Sequence, residues 1–84
     1  MGYFVYILQN PAGKFYIGST NDLGRRLQEH NAPEKDNHKF THKNGPWRLV
    51  YSERFDNRSE AMVRELYIKK KKSAKWIIDN LLNR

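Results

Sequence analysis

The stretch KFYIGSTNDLGRRLQEH, residues 14–30, decides how this chain folds. It reads as a short strand, a tight turn and an amphipathic helix. Phe15, Tyr16 and Ile17 are strand formers, and Gly18 permits a close backbone approach that no side chain would allow. Thr20, Asn21 and Asp22 offer N-cap side chains to the helix that follows. At about 100° per residue from Leu23, Leu27 falls at about +40°, His30 at about −20° and Arg26 at about −60°. Arg25 falls at about 200°, on the opposite face. A cation half-tucked against a core edge is costly without an anionic partner, so Arg26 is the first candidate for chemistry.

Working upstream, residues 3–8, YFVYIL, form an apolar run of β-branched and aromatic residues, the pattern of a strand buried on both faces. Asn10-Pro11-Ala12-Gly13 is a turn signal, with Pro presetting one position and Gly taking the left-handed one. A three-residue loop with Gly13 at a bulge pairs Asn10 with Lys14. It sets Leu8 against Tyr16 and Tyr6 against Gly18, so that both tyrosines share one face and the Tyr6 ring lies over a bare glycine. A four-residue loop would split them onto opposite faces.

Working downstream, the helix from Asp22 to Asn31 ends before Ala32-Pro33. The polar stretch Glu34–Pro46 reads as a long loop. Trp47–Arg54 alternates Trp47, Leu49, Tyr51 against Arg48, Val50, Ser52, which predicts a third strand. Asp56 or Asn57 caps a helix from Arg58 to Lys72, with Glu60 in a capping-box position and Ala61, Met62, Leu66 and Ile68 as its stripe. Glu65 falls on or beside that buried face. Ser73 starts a last helix over Lys75–Leu82. The expected class is α+β: a three-stranded antiparallel sheet, its first strand central, flanked by three helices in one domain over residues 1–84.

Eighty-four residues allow one modest core, to which eleven aromatics (13%) bring large burial per residue. There are no cysteines, which excludes disulfides and thiolate metal sites. No apolar run reaches membrane-spanning length and no signal peptide is read at the amino terminus; a cytoplasmic protein without membrane association is expected. Sixteen Lys+Arg against nine Asp+Glu give +7, a polyanion-binding balance that points to nucleic acid.

Taken singly, the candidate residues have plain structural readings. Tyrosines in a half-buried sheet are ordinary core, Arg26 could pair on the surface, and Glu65 could pair with Lys69 at i+4. His38 and His42 have a zinc-compatible spacing but no acidic or thiolate company. Lys69–Lys72 is a solvated helix face that can also contact phosphates.

Together, however, these residues resemble the GIY-YIG nuclease superfamily. Tyr16-Ile17-Gly18 is its second signature strand, and Val5-Tyr6-Ile7 stands where the first belongs, with only the tyrosine matching. Arg26 follows Gly18 by eight residues, as the family arginine does, His30 follows four further on, and Glu65 matches the glutamate of a later helix. The likeness runs from about residue 3 to 78 and looks closest to small stand-alone members of the branch that includes the amino-terminal nuclease domain of the excision-repair incision protein. It implies endonucleolytic hydrolysis of a nucleic-acid phosphodiester, DNA first, with Mg²⁺ or Mn²⁺ held by Glu65 and with Tyr6, Tyr16, Arg26 and His30 in the catalytic set. Gly18, Ser19, Arg25, Lys43, Lys69 and Lys70 are the expected nucleic-acid contacts. Ile77 stands where the repair branch has asparagine, and Ser19 where a lysine is common. A monomer is expected, with a partner protein as one source of targeting. The alternative is a nucleic-acid-binding module on the same scaffold without cleavage.

Overall fold

The computed structural model describes residues 2–31 and 45–83. Its elements are β1 (Tyr3–Gln9), β2 (Phe15–Thr20), α1 (Leu23–Asn31), β3 (Arg48–Phe55), α2 (Arg58–Lys71) and α3 (Ala74–Ile77). The last continues into a π-helical turn, Ile78–Leu82. The expected loop at 34–46 lies, save Gly45 and Pro46, outside the described residues, and so do His38, His42 and Lys43.

The hairpin follows from its turn. Asn10 N–H donates to the Lys14 carbonyl at 3.1 Å, Gly13 N–H to the Asn10 carbonyl at 3.0 Å. The Asn10 side chain accepts from Lys14 N–H at 2.8 Å, and Gly13 takes a φ of +87° that a side chain would resist. The resulting register sets Leu8 opposite Tyr16 and Tyr6 opposite Gly18. The sheet order is β2-β1-β3, fully antiparallel, with the most apolar strand in the middle.

Each face of β1 builds its own core. Tyr6 and Leu8 join Trp47 beneath α1, with Tyr16, Leu23 and Leu27 packed alongside. Val5 and Ile7 face the other way, into Ala61, Ile68, Ile77 and Leu81 from α2, α3 and the π-turn. Fully burying each such aliphatic side chain contributes about 1.5–3 kcal/mol.

Two expectations fail in detail. Strict alternation would put Leu49 and Tyr51 on one face of β3. Instead Ile7 pairs with Tyr51 and the next residue, Leu8, with Leu49, which leaves Val50 as the extra residue of a bulge. Leu49 and Tyr51 therefore fall on opposite faces, and Tyr51 joins the α2 side. On α2 the buried seam is narrower than the predicted stripe. Ala61 and Ile68 are buried, seven residues apart, whereas Met62 and Leu66 are exposed. They sit about 100° around the helix from Ala61 and Glu65, beyond the line that touches the sheet.

The caps are where the side chains dictate. Asn57 accepts from Glu60 N–H and Ser73 from Trp76 N–H. Asp22 accepts from Arg25 N–H at 3.1 Å, and Thr20 Oγ1 accepts from Asp22 N–H at 3.1 Å, so side chains satisfy two of the donors where β2 passes into α1.

Candidate active site

The site lies where β2 ends, because β2 is an edge strand and helices from both layers approach it there. Ser19, Thr20 and Asn21 leave the sheet, Arg26 comes from α1, and Arg58, Met62 and Glu65 come from α2. With Tyr3 they line one hollow of about 280 Å³. A guanidinium from one layer and a carboxylate from the other thus face a common space.

Tyr6, Tyr16 and His30, expected in the same site, are not on the wall of that hollow; they form an aromatic group in the α1-side core. The Tyr6 hydroxyl and His30 Nε2 share a hydrogen bond of 2.9 Å, Tyr6 being only 2% exposed. Tyr16 stacks beside Tyr6 at 6.4 Å between centroids and meets the His30 ring edge-on at 4.6 Å. Trp47 closes the far side of Tyr16 at 6.2 Å. Gly18 is what lets Tyr6 lie flat: a Cβ there would sit 2.6 Å from the Tyr6 hydroxyl oxygen and 2.8 Å from Cζ.

Burial sets the Tyr6 phenol apart from an ordinary tyrosine. Burial pushes the Tyr6 hydroxyl well above the ordinary tyrosine range, and nearby Tyr16 pushes it further. Arg26 opposes this, while Glu65 and Glu29 add to it, which places all of these charges within reach of the phenol. Tyr6 therefore keeps its proton at neutral pH. Tyr16 is half-buried rather than sealed.

Arg26 is held ready. Its Nε is buried without a hydrogen bond, although Glu29 Oε1 lies 3.4 Å away as an ion pair. An N–H in that state has a donor to give to an incoming acceptor. Glu65 is recessed, its side chain 18% exposed, and Lys69 Nζ lies 2.6 Å from its Oε2. The i+4 pairing read from sequence therefore forms, with the carboxylate still on the wall of the hollow.

The other sequence candidates are distributed unevenly. Ser19 is on the wall of the hollow, whereas Gly18 is not and lies against the Tyr6 ring. Arg25 projects away from this side and pairs loosely with Asp22 at 3.9 Å. Lys70 is exposed. Lys43 lies outside the described residues. Ile77, at the position of the repair-branch asparagine, is buried in the α2-side core and presents nothing to the hollow. Sequence reading missed Arg58, Met62, Tyr3 and Asn21. Arg58 was findable: it precedes Glu65 by seven residues, two helical turns along the same face.

One carboxylate suits a magnesium-type ion, which keeps most of its waters and takes one or two protein oxygens. Among the described residues no three His, Asp or Glu side chains cluster as a closed metal cage would need. Glu65, an oxygen donor open to a hollow that also holds two guanidiniums, fits the open arrangement and not the closed one. Nor is any described helix long and apolar enough to cross a membrane.

Comparison with known proteins adds four findings. A family model described as the GIY-YIG catalytic domain matches residues 2–78. A UPF0213 protein of Clostridium perfringens is 45% identical over 67 residues, covering 80% of this chain and 70% of that protein. One from Halobacterium salinarum is 45% identical over 65 residues, 77% and 82% of the respective chains. The solution NMR structure of a UPF0213 protein from Bacillus halodurans superposes with a TM-score of 0.50 at 34% identity, over 83% of this chain and 72% of that one.

Proposed function

This chain belongs to the GIY-YIG catalytic domain family, a family of the nuclease superfamily, and on that premise we propose that it is a metal-dependent endonuclease acting on DNA. One observation carries the reading: Arg26 and Glu65, from helices on opposite faces of the sheet, line the same hollow. Phosphodiester hydrolysis needs a fixed cation on the phosphate, an oriented water and neutralisation of the leaving oxygen.

The residues divide these tasks. Arg26 holds the scissile phosphate through guanidinium donors, the unspent Nε–H among them. Glu65 would hold Mg²⁺ or Mn²⁺, which when bound supplies positive charge at a phosphate oxygen and an acidified water. Tyr16, the half-buried phenol of the pair, orients the attacking water. Tyr6, buried and holding its proton, positions His30 and the Tyr16 ring rather than acting as a base. Ser19, Asn21 and Arg58 line the approach of the flanking strand. Lys69 and Lys70 extend the positive surface along α2, Arg25 extends it on the outer face of α1, and a partner protein or DNA shape would supply targeting.

Nicking of supercoiled plasmid with and without Mg²⁺ tests this. Arg26→Ala and Glu65→Gln are each expected to lower the rate by about 10²-fold or more, the scale of losing one charged transition-state contact, with the helical circular dichroism unchanged. Equal nicking by wild type and both variants would assign the activity to a contaminant. A second reading, a nucleic-acid binder without cleavage, is favoured by the burial of Ile77 and by the Lys69 contact that covers Glu65. It predicts salt-sensitive DNA binding and no nicking in Mg²⁺ or Mn²⁺.

A further inference from the structure

The Lys69–Glu65 contact has a sign that the nuclease reading alone does not predict. Among the described residues Glu65 is the only carboxylate on the wall of the hollow, and the same wall carries Arg26 and Arg58. Lys69 brings a third cation to within 2.6 Å of Oε2, so the space around the carboxylate is net positive. A divalent cation approaching Glu65 must displace a tethered ammonium, surrender waters it releases reluctantly, and enter against two guanidiniums. A phosphodiester approaching the same hollow is repelled by Glu65 but meets net attraction from the three cations. Lys69 is the movable member of this set: half its side chain is exposed, and its flexible stem can swing the ammonium from carboxylate to phosphate.

We propose that Lys69 is a positioning residue with two alternating partners: it neutralises Glu65 in the free protein, competing with the divalent cation, and moves to the phosphates when nucleic acid binds. The proposal rests on Glu65 being the cation ligand, as proposed above. It gives Lys69 opposite effects on two ligands, which a merely structural helix pair would not have. Loss of the ammonium helps the metal and harms the polyanion.

The test measures Mn²⁺ binding to the nucleic-acid-free protein by electron paramagnetic resonance. In parallel, binding of a fluorescent DNA duplex is measured by anisotropy in EDTA. Lys69→Met keeps the apolar stem and removes the charge. It is expected to bind Mn²⁺ about 5- to 10-fold more tightly than wild type, an effect of the size of one well-placed charge, and DNA a few-fold more weakly. Lys69→Arg is expected to return both affinities toward wild type, and Glu65→Gln to remove the tight Mn²⁺ site from the Lys69→Met background. Unchanged Mn²⁺ affinity in Lys69→Met, with binding still lost in Glu65→Gln, would overturn the Lys69 role while leaving Glu65 as ligand. Mn²⁺ binding indifferent to Glu65 in either background would overturn both. Weakening of both ligands together would reduce Lys69 to a structural residue and also overturn the proposal.

Discussion

Tyr6 shows how one side chain can be both architecture and chemistry. Its ring needs the bare backbone of Gly18, its hydroxyl needs His30 Nε2, and its burial keeps it protonated. The phenol titrates ordinarily at 10.0, and in the fold it is held above that. A raised folded value means that this group contributes stability in full below pH 10.0, and that the contribution falls away as pH climbs past 10.0. Tyr6→Phe removes the hydrogen bond and the titration together. The variant is expected to be about 1 kcal/mol less stable than wild type at neutral pH, and the gap should narrow above pH 10. Urea unfolding at neutral and alkaline pH measures it; a gap that stays constant or widens would show that the phenol is not held protonated by burial. This much was legible in the sequence, because a hairpin with Gly13 at its bulge fixes which residue opposes Tyr6. The raised Tyr6 value was not, since it depends on how completely the packed fold buries that one hydroxyl.

Among the elements, α1 and β3 are joined by a clasp that periodicity could not reveal. The Asn31 amide donates to the Trp47 carbonyl at 2.9 Å and accepts from the Trp47 N–H at 2.7 Å, completing two backbone hydrogen bonds across 16 residues of sequence. It thereby fixes the start of β3 and the indole that backs Tyr16. Asn31→Ala leaves a buried strand end with two unmade bonds and is expected to cost about 1–3 kcal/mol. Thermal unfolding gives the size, and the intensity of near-ultraviolet circular dichroism reports whether the Trp47–Tyr16 packing loosens with it. A loss below about 0.5 kcal/mol, the range of an ordinary surface change, would mean that the clasp is incidental. A second tie, Arg64 to Glu53 at 2.9 and 3.0 Å with Tyr51 donating to the same carboxylate, holds α2 against β3. It exists because the Val50 bulge turns Tyr51 and Glu53 toward α2. Alternation alone put Tyr51 on the face of Leu49, and the bulge leaves no mark in the sequence because Leu49, Val50 and Tyr51 are three consecutive apolar residues, any of which can face a core.

For the whole molecule, a charge of +7 is informative only where the cations stand relative to the hollow. Arg58 lines it, whereas Lys14 sits at the hairpin turn, at the other end of β2 and about 17 Å away by strand length. Neither has a carboxylate ion-pair partner among the described residues, so local pairing does not distinguish them. If nucleic acid runs across the hollow, each phosphate neutralised there releases counterions, and the slope of log affinity against log salt falls by about 0.9 for each contact removed. Arg58→Gln is therefore expected to weaken DNA binding and flatten that slope by about 0.9. Lys14→Gln makes the same change in net charge and is expected to leave the slope nearly as it was. Fluorescence anisotropy over a salt series separates the two. Equal flattening by both variants would mean that the polyanion follows the overall field of the protein and not the hollow. The chemistry assigned to Arg26 and Glu65 would then have no substrate held against it.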